Sequence, residues 1–277
     1  MSFPTFIRVL TAAATLSATV AAAQPFEDAR YPDLKDQWIR VGDARWDPSK
    51  PRELGQEAPL TPGYQKIYED NLTDQRQGGQ GIDPTFTCIP EGMPRAMNAV
   101  MPMEILIMPK VTYIIMEYFN MLRRVYTDGR DWPTDIEPSL MGYSIGKWVG
   151  EDGHGGYGAL EIETRALKGP RTYDQTGLPL HADNQTVLKE LIYLDEANPN
   201  ILHDRITAID HALTRPWTVT KTYRRNRNPV WVEFSCAEHN DHVRIGGEAY
   251  FLSADGLLMP AKKGQSAPDL RYFEPAK

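Results

Sequence analysis

ILHDRITAID (Ile201–Asp210) and PWTVTKTYRR (Pro216–Arg225) follow one another with only a short connection between them. Both are rich in β-branched and aromatic residues, which suit the pleated, half-buried surface of a strand. Similar runs recur on either side: EILIM from Glu104, VTYIIMEYF from Val111, MLRRVYT from Met121, YSIGKWVG from Tyr143, GALEIETRAL from Gly158, TVLKELIYL from Thr186, VWVEFSCA from Val230 and AYFLS from Ala249. Turn residues punctuate them at Pro109-Lys110, Asp128-Gly129, Glu151-Asp152-Gly153, Asn198-Pro199-Asn200 and Asn226–Pro229. No long helical pattern intervenes, so consecutive strands are expected to pair antiparallel. Eight or more such strands favour closure, because closure removes exposed edges. The fold class read from this pattern is mainly all-β: an antiparallel, lipocalin-like β-barrel over residues 104–253.

Upstream, residues 24–103 are rich in Pro, Gly and charge and carry little sustained periodicity. Only Pro62–Asp74 is helical in pattern, with Tyr64, Ile67, Tyr68 and Leu72 spaced for one face. Trp38 and Trp46 have no reason to exist in a free tail, so the region reads as an ordered N-terminal arm that wraps the barrel. Residues 254–277 read as a C-terminal extension. Residues 1–23 have the plan of a signal peptide: Arg8, a short apolar run at Val9–Val20, and Ala21-Ala22-Ala23 before Gln24. The run is shorter than the roughly 20 apolar residues of a membrane span. The expected location is periplasmic or secreted, with the mature chain starting near Gln24.

The formal net charge is −7, and removal of Arg8 with the leader makes it one unit more negative. Such a balance is a poor match to nucleic acid, whose backbone rewards clustered Lys and Arg, and no further segment is apolar enough to span a membrane. The partner expected is a small molecule. Two cysteines, Cys88 and Cys236, in an exported chain read most naturally as one disulfide; the alternative is two separate buried thiols. They are too few for a Cys-based zinc site.

Alternation along the runs points to polar groups on apolar faces. Glu117 continues the face of Val111, Tyr113 and Ile115, and such a charge is costly unless paired; Arg123 or Arg124 in the next run is the expected partner. His203 and Arg205 share a face with Ile201, Thr207 and Ile209, the pattern of a wet barrel interior. His181-Ala182-Asp183 lies in the long stretch between Leu167 and Gln185, and a His two residues from an Asp has the makings of a tuned acid/base. Its plain alternative is a turn in which the Asp bonds backbone.

Other signals favour structural readings. Gly142-Tyr143-Ser144-Ile145-Gly146 matches the nucleophile-elbow pattern, but a β run rather than a helix follows it. His203, His211 and His239, with Glu238 and Asp204, lack helical metal-ligand spacing, so no metal is assigned. Met93, Met97, Met101 and Met103 read as core filling. Trp148, Trp217 and Tyr223 are candidate aromatic contacts for a ligand.

The stretches FTCIPEGMPRAM (Phe86–Met97), RRVYTDGRDWP (Arg123–Pro133), GYSIGKWVG (Gly142–Gly150), IDHALTRPWTVTKTYRR (Ile209–Arg225) and FSCAEHN (Phe234–Asn240) resemble a widespread group of exported bacterial β-rich proteins. The likeness runs from about residue 85 to residue 270, with the RR-x-Y-x-DGR and TRPW elements its most specific parts. It implies exported β architecture and leaves the chemistry open. A Gly-Asp-Thr-Leu turn usual after the tryptophan in that group is replaced here by Gly150-Glu151-Asp152-Gly153.

Two functions follow as expectations. One is a cofactor-independent enzyme of lyase, decarboxylase, isomerase or hydrolase type acting on a small aromatic or apolar compound. Its catalytic groups would be His181, Asp183, Glu117 and Arg123, with His203, Arg205, Trp148, Trp217 and Tyr223 binding substrate. The other is a periplasmic lipocalin-like binding or carrier protein for a small hydrophobic ligand.

Overall fold

The computed structural model describes residues 28–51, 54–98, 101–150, 156–236, 242–245, 248–253 and 255–268. The proposed leader, Glu238 and His239 lie outside these residues. Among them, nine strands form a closed barrel in sequence order. The strands are β1 (Gln37–Arg40), β2 (Met103–Met108), β3 (Val111–Met116), β4 (Met121–Tyr126), β5 (Tyr143–Val149), β6 (Ala159–Arg165), β7 (Val187–Leu194), β8 (Ile201–Ile209) and β9 (Trp217–Asn226). β1 closes the ring by pairing antiparallel with both β2 and β9. All neighbours are antiparallel except β4 and β5, which meet in a short parallel pair at Val125–Ser144 and Tyr126–Ile145. The long connection between β4 and β5 returns the chain to the end from which β4 started, so antiparallel pairing fails at that one seam.

Three further features depart from the sequence reading. β1 comes from the stretch assigned to the arm, so that stretch contributes a barrel strand. The run from Val230 forms no strand, and Val230, Trp231 and Val232 are exposed. β11 (Glu248–Leu252), which contains the AYFL run, pairs with β10 (His242–Ile245) and β12 (Leu258–Pro260) in a separate three-stranded sheet.

Register decides the interior. Ser144, Thr164, Leu188, Ala208 and Trp217 form one row across β5–β9, and Gly146, Ile162, Glu190, Ile206 and Val219 form the next. Trp148, Leu160, Ile192, Asp204 and Lys221 form a third. Gly146 is required there: a Cβ would stand 2.7 Å from Val125 Cγ1 and 2.9 Å from the Glu161 carbonyl oxygen.

Residues upstream of β2 make contacts at both ends of the barrel strands. α1 (Pro62–Arg76) agrees with the helix expected from Pro62, and proline occupies its first turn, where no N–H is needed. Trp46 packs on Tyr173 and Trp217 with ring centroids 5.0 and 6.2 Å away, and Leu60 bridges to Leu213. At the opposite end Tyr31 meets Trp148 edge-on at 5.2 Å. Met93, Met97 and Met103 are buried in the same core, as gap-filling thioethers. Cys88 and Cys236 are disulfide-bonded, with their Cα atoms 5.6 Å apart.

Candidate functional site

The interior holds an ionic network rather than an open cup. Arg123 is fully buried, donates from Nη1 to Glu190 Oε1 at 2.9 Å and from Nη2 to the second carboxylate oxygen, and reaches Thr164 Oγ1 at 2.8 Å and Ser144 Oγ at 3.3 Å. The expected pairing with Glu117 is therefore incorrect. β3 ends at Met116, and Glu117 is buried at the turn that follows, where its Oε2 makes no hydrogen bond. Arg124 faces outward over the Tyr113 ring, 5.9 Å from its centroid. Sequence alternation overran the strand by one residue, and Glu190, three strands away in the barrel order, was the partner it missed. Ser144 is held inside this network, 2.8 Å from Thr164 Oγ1, and is not a nucleophile on an exposed elbow.

Beside this pair lie Asp204, Lys221 and Tyr223. Burial and the negative charge of Glu190 push the Asp204 carboxyl well above the usual range, although Arg123 and Lys221 pull it back. Neither of its oxygens has a hydrogen-bond partner, so the neutral acid is the less costly form. Burial lowers Lys221 to about 7 against the attraction of Asp174 and Asp204. Its Nζ donates to the Trp46 carbonyl and, at 3.2 Å, to that of Arg45, while lying 4.3 Å from the Trp46 ring centroid. Tyr223 donates to the Met97 carbonyl at 2.6 Å, and burial raises its hydroxyl. Trp217 and Tyr223 are thus buried structural aromatics, and Trp148 is partly covered by Tyr31 and Tyr157.

His203 and Arg205 do not face the interior. The alternation was real, but Leu202, Asp204, Ile206 and Ala208 take the inner face of β8. His203 lies outside, 3.2 Å from Asp195 Oδ2 and 3.3 Å from Thr222 Oγ1. Arg205 lines an open groove of about 600 Å³ on the outer face of β5–β8. Two outward rows build its floor: Ile145, Glu163, Lys189 and Thr207, then Lys147, Glu161, Leu191 and Arg205. The β4–β5 connection supplies a wall through Arg130 and Trp132. Arg130 stacks on Tyr126 at 3.8 Å, and Arg165 lies 4.3 Å from the Trp132 centroid. Lys147 pairs with Glu161 at 2.8 Å, whereas Arg205 has no ion pair among the described residues.

His181 and Asp183 come together at the end where β7 begins and β8 ends, and His211 joins them. Asp183 Oδ1 is 3.0 Å from His181 Nδ1, and Asp183 Oδ2 is 2.5 Å from His211 Nδ1. Burial raises the Asp183 carboxyl, but the Gln185 backbone N–H and the two histidines outweigh it and hold it below its ordinary value. Asp210 fastens the two segments: its carboxylate accepts from the backbone N–H of His181 at 3.1 Å, from that of Ala212 at 2.8 Å, and from the Thr186 hydroxyl. Tyr64 of α1 packs on the His181 ring at 5.0 Å. A two-histidine, one-carboxylate group has the donor chemistry of a transition-metal site. His211 was missed as a partner because its neighbours depend on register: Val187 pairs with Ile209, which brings residues 183 and 211 to the same edge.

No family model matches the chain, and no curated protein matches it either.

Proposed function

We propose that the chain is an exported binding protein whose small-molecule ligand lies in the groove on β5–β8. The observation carrying this reading is the pairing of an apolar strip with an unpaired cation: Ile145, Leu191 and Trp132 supply apolar surface, and Arg205 supplies a guanidinium with no partner among the described residues. A ligand with an apolar body and a carboxylate fits that chemistry, since Arg forks onto carboxylates. The interior is a poor host by comparison. Its rows are filled by buried side chains, and its strongest ion pair is satisfied within the protein. The disulfide fits an oxidising, extracytoplasmic setting, and the periplasm or the medium is the proposed location. Among the described residues no helix is long and apolar enough to cross a membrane.

The test is a fluorescence titration with phenolic and aliphatic carboxylates, using Trp132 as the reporter. Binding should weaken about tenfold or more in Arg205→Ala, and the signal should disappear in Trp132→Phe. Equal affinity in Arg205→Ala would remove the groove as the site.

The 3.0 Å contact of His181 with Asp183 favours a second reading, cofactor-free acid/base chemistry on a small aromatic or apolar compound. Arg123 and Glu117 do not support it, because both are buried away from solvent. With a turnover assay in hand, His181→Asn should lower kcat by about a hundredfold with little change in ligand affinity; unchanged kcat would dismiss that reading.

A further inference from the structure

We propose that His181, Asp183 and His211 form a binding site for a divalent first-row transition cation, with Zn2+ as its representative. Their donor atoms all lie within 4.8 Å of one another, which lets one ion reach all three after small side-chain rotations. The constellation is separate from the groove on β5–β8 and does not depend on the reading given to that groove.

The contacts at His181 hold its ring beside the Asp183 carboxylate. Its Nδ1 lies 3.1 Å from the Asp183 backbone nitrogen, which donates to it, and 3.0 Å from Asp183 Oδ1. A ring nitrogen has a single in-plane direction and serves as donor or acceptor, not both. Either neutral tautomer leaves the ring one nitrogen lone pair for an ion: with the proton on Nδ1 the ring donates to Asp183 Oδ1 and Nε2 carries the lone pair, and with the proton on Nε2 the Nδ1 lone pair faces the Asp183 N–H. The same carboxylate meets the second imidazole through its other oxygen, so negative charge is concentrated between two rings that are natural ligands for Zn2+, Cu2+ or Ni2+.

The site is also held in place. The buried Asp210 carboxylate ties the backbone at His181 to the turn carrying His211, Gln185 N–H donates to Asp183 Oδ1 at 3.0 Å, and Tyr64 covers one face of His181. Outer contacts of this kind fix ligand orientation in metal sites. His211 is 69% exposed, so an ion bound here keeps at least one coordination position open to solvent or to a small anion.

Titration of the mature chain with ZnCl2 by calorimetry tests the site. One Zn2+ per chain is expected, with affinity reduced about tenfold or more in His211→Gln and in Asp183→Asn. His211 projects into solvent, so His211→Gln leaves the fold intact, which an unchanged circular dichroism spectrum verifies. Co2+ should give visible absorption bands that His211→Gln diminishes. Unsaturable binding, binding undiminished in His211→Gln, or Ca2+ binding as tightly as Zn2+ would each overturn the proposal, the last because Ca2+ takes oxygen ligands and not imidazole.

Discussion

Arg123 and Glu190 show how one buried charge disciplines a whole barrel. The guanidinium spans β4 to β7 and also bonds Ser144 and Thr164, so four strands meet at one side chain. Removing one partner strands the other without water. Glu190→Gln should therefore cost about 3–5 kcal/mol in urea unfolding, whereas replacing both residues with apolar ones of similar volume should cost much less. Lys221 supplies a second test. Its folded value of about 7 lies below the usual lysine value of about 10.4. Between those values the unfolded chain carries more protons, so this residue makes stability rise with pH across that window. Below about pH 7 the burial penalty is fully present. Lys221→Met should flatten the rise when unfolding free energy is measured from pH 7 to pH 10. Sequence alternation revealed that charges enter apolar faces, but Glu117 shows its limit: one residue past a strand end, the face it predicts no longer exists.

At the scale of elements, residues 28–98 supply a barrel strand, β1, and the helix α1. Trp38 in β1 is wholly buried, donates from Nε1 to the Leu34 carbonyl at 3.0 Å, and packs beneath Arg225. β1 is four residues long and has no apolar alternation strong enough to reveal a strand in isolation. It exists because β2 and β9 offer it two unsatisfied edges, and tertiary context overrides local propensity. The helix at Pro62 was legible because its signals are local: a proline in the first turn and apolar residues on one face. The disulfide joins the short 3-10 turn at Pro84–Thr87 to the segment that follows β9. Cys236→Ala should lower unfolding stability by about 2–5 kcal/mol, the usual range for a native disulfide closing a long loop. A loss below about 1 kcal/mol would mean that noncovalent contacts alone hold the arm in place.

For the whole molecule, closure of the sheet removes its edges and turns attention to its outer face and its ends. The outer face carries the groove, and one end carries the His–Asp–His constellation. Export is the expectation that concerns the full chain most directly. Protein recovered from the periplasm or medium should begin at or very near Gln24 by N-terminal sequencing, and intact Met1 on that protein would refute it. The sequence by itself determined the β-rich runs, the turns between most of them and the helix at Pro62, because each depends on residues close in the chain. It also made one disulfide the natural reading of Cys88 and Cys236, with two buried thiols as the alternative, and the 5.6 Å separation of their Cα atoms in the folded chain decided for the bond. The tertiary structure alone decided that Glu190 pairs with Arg123, that β1 closes the barrel, that His203 and Arg205 point outward, and that His211 joins His181 and Asp183. Each of these depends on strand order and register, which arise from pairing between distant segments, and a period of two marks two faces without saying which one is covered.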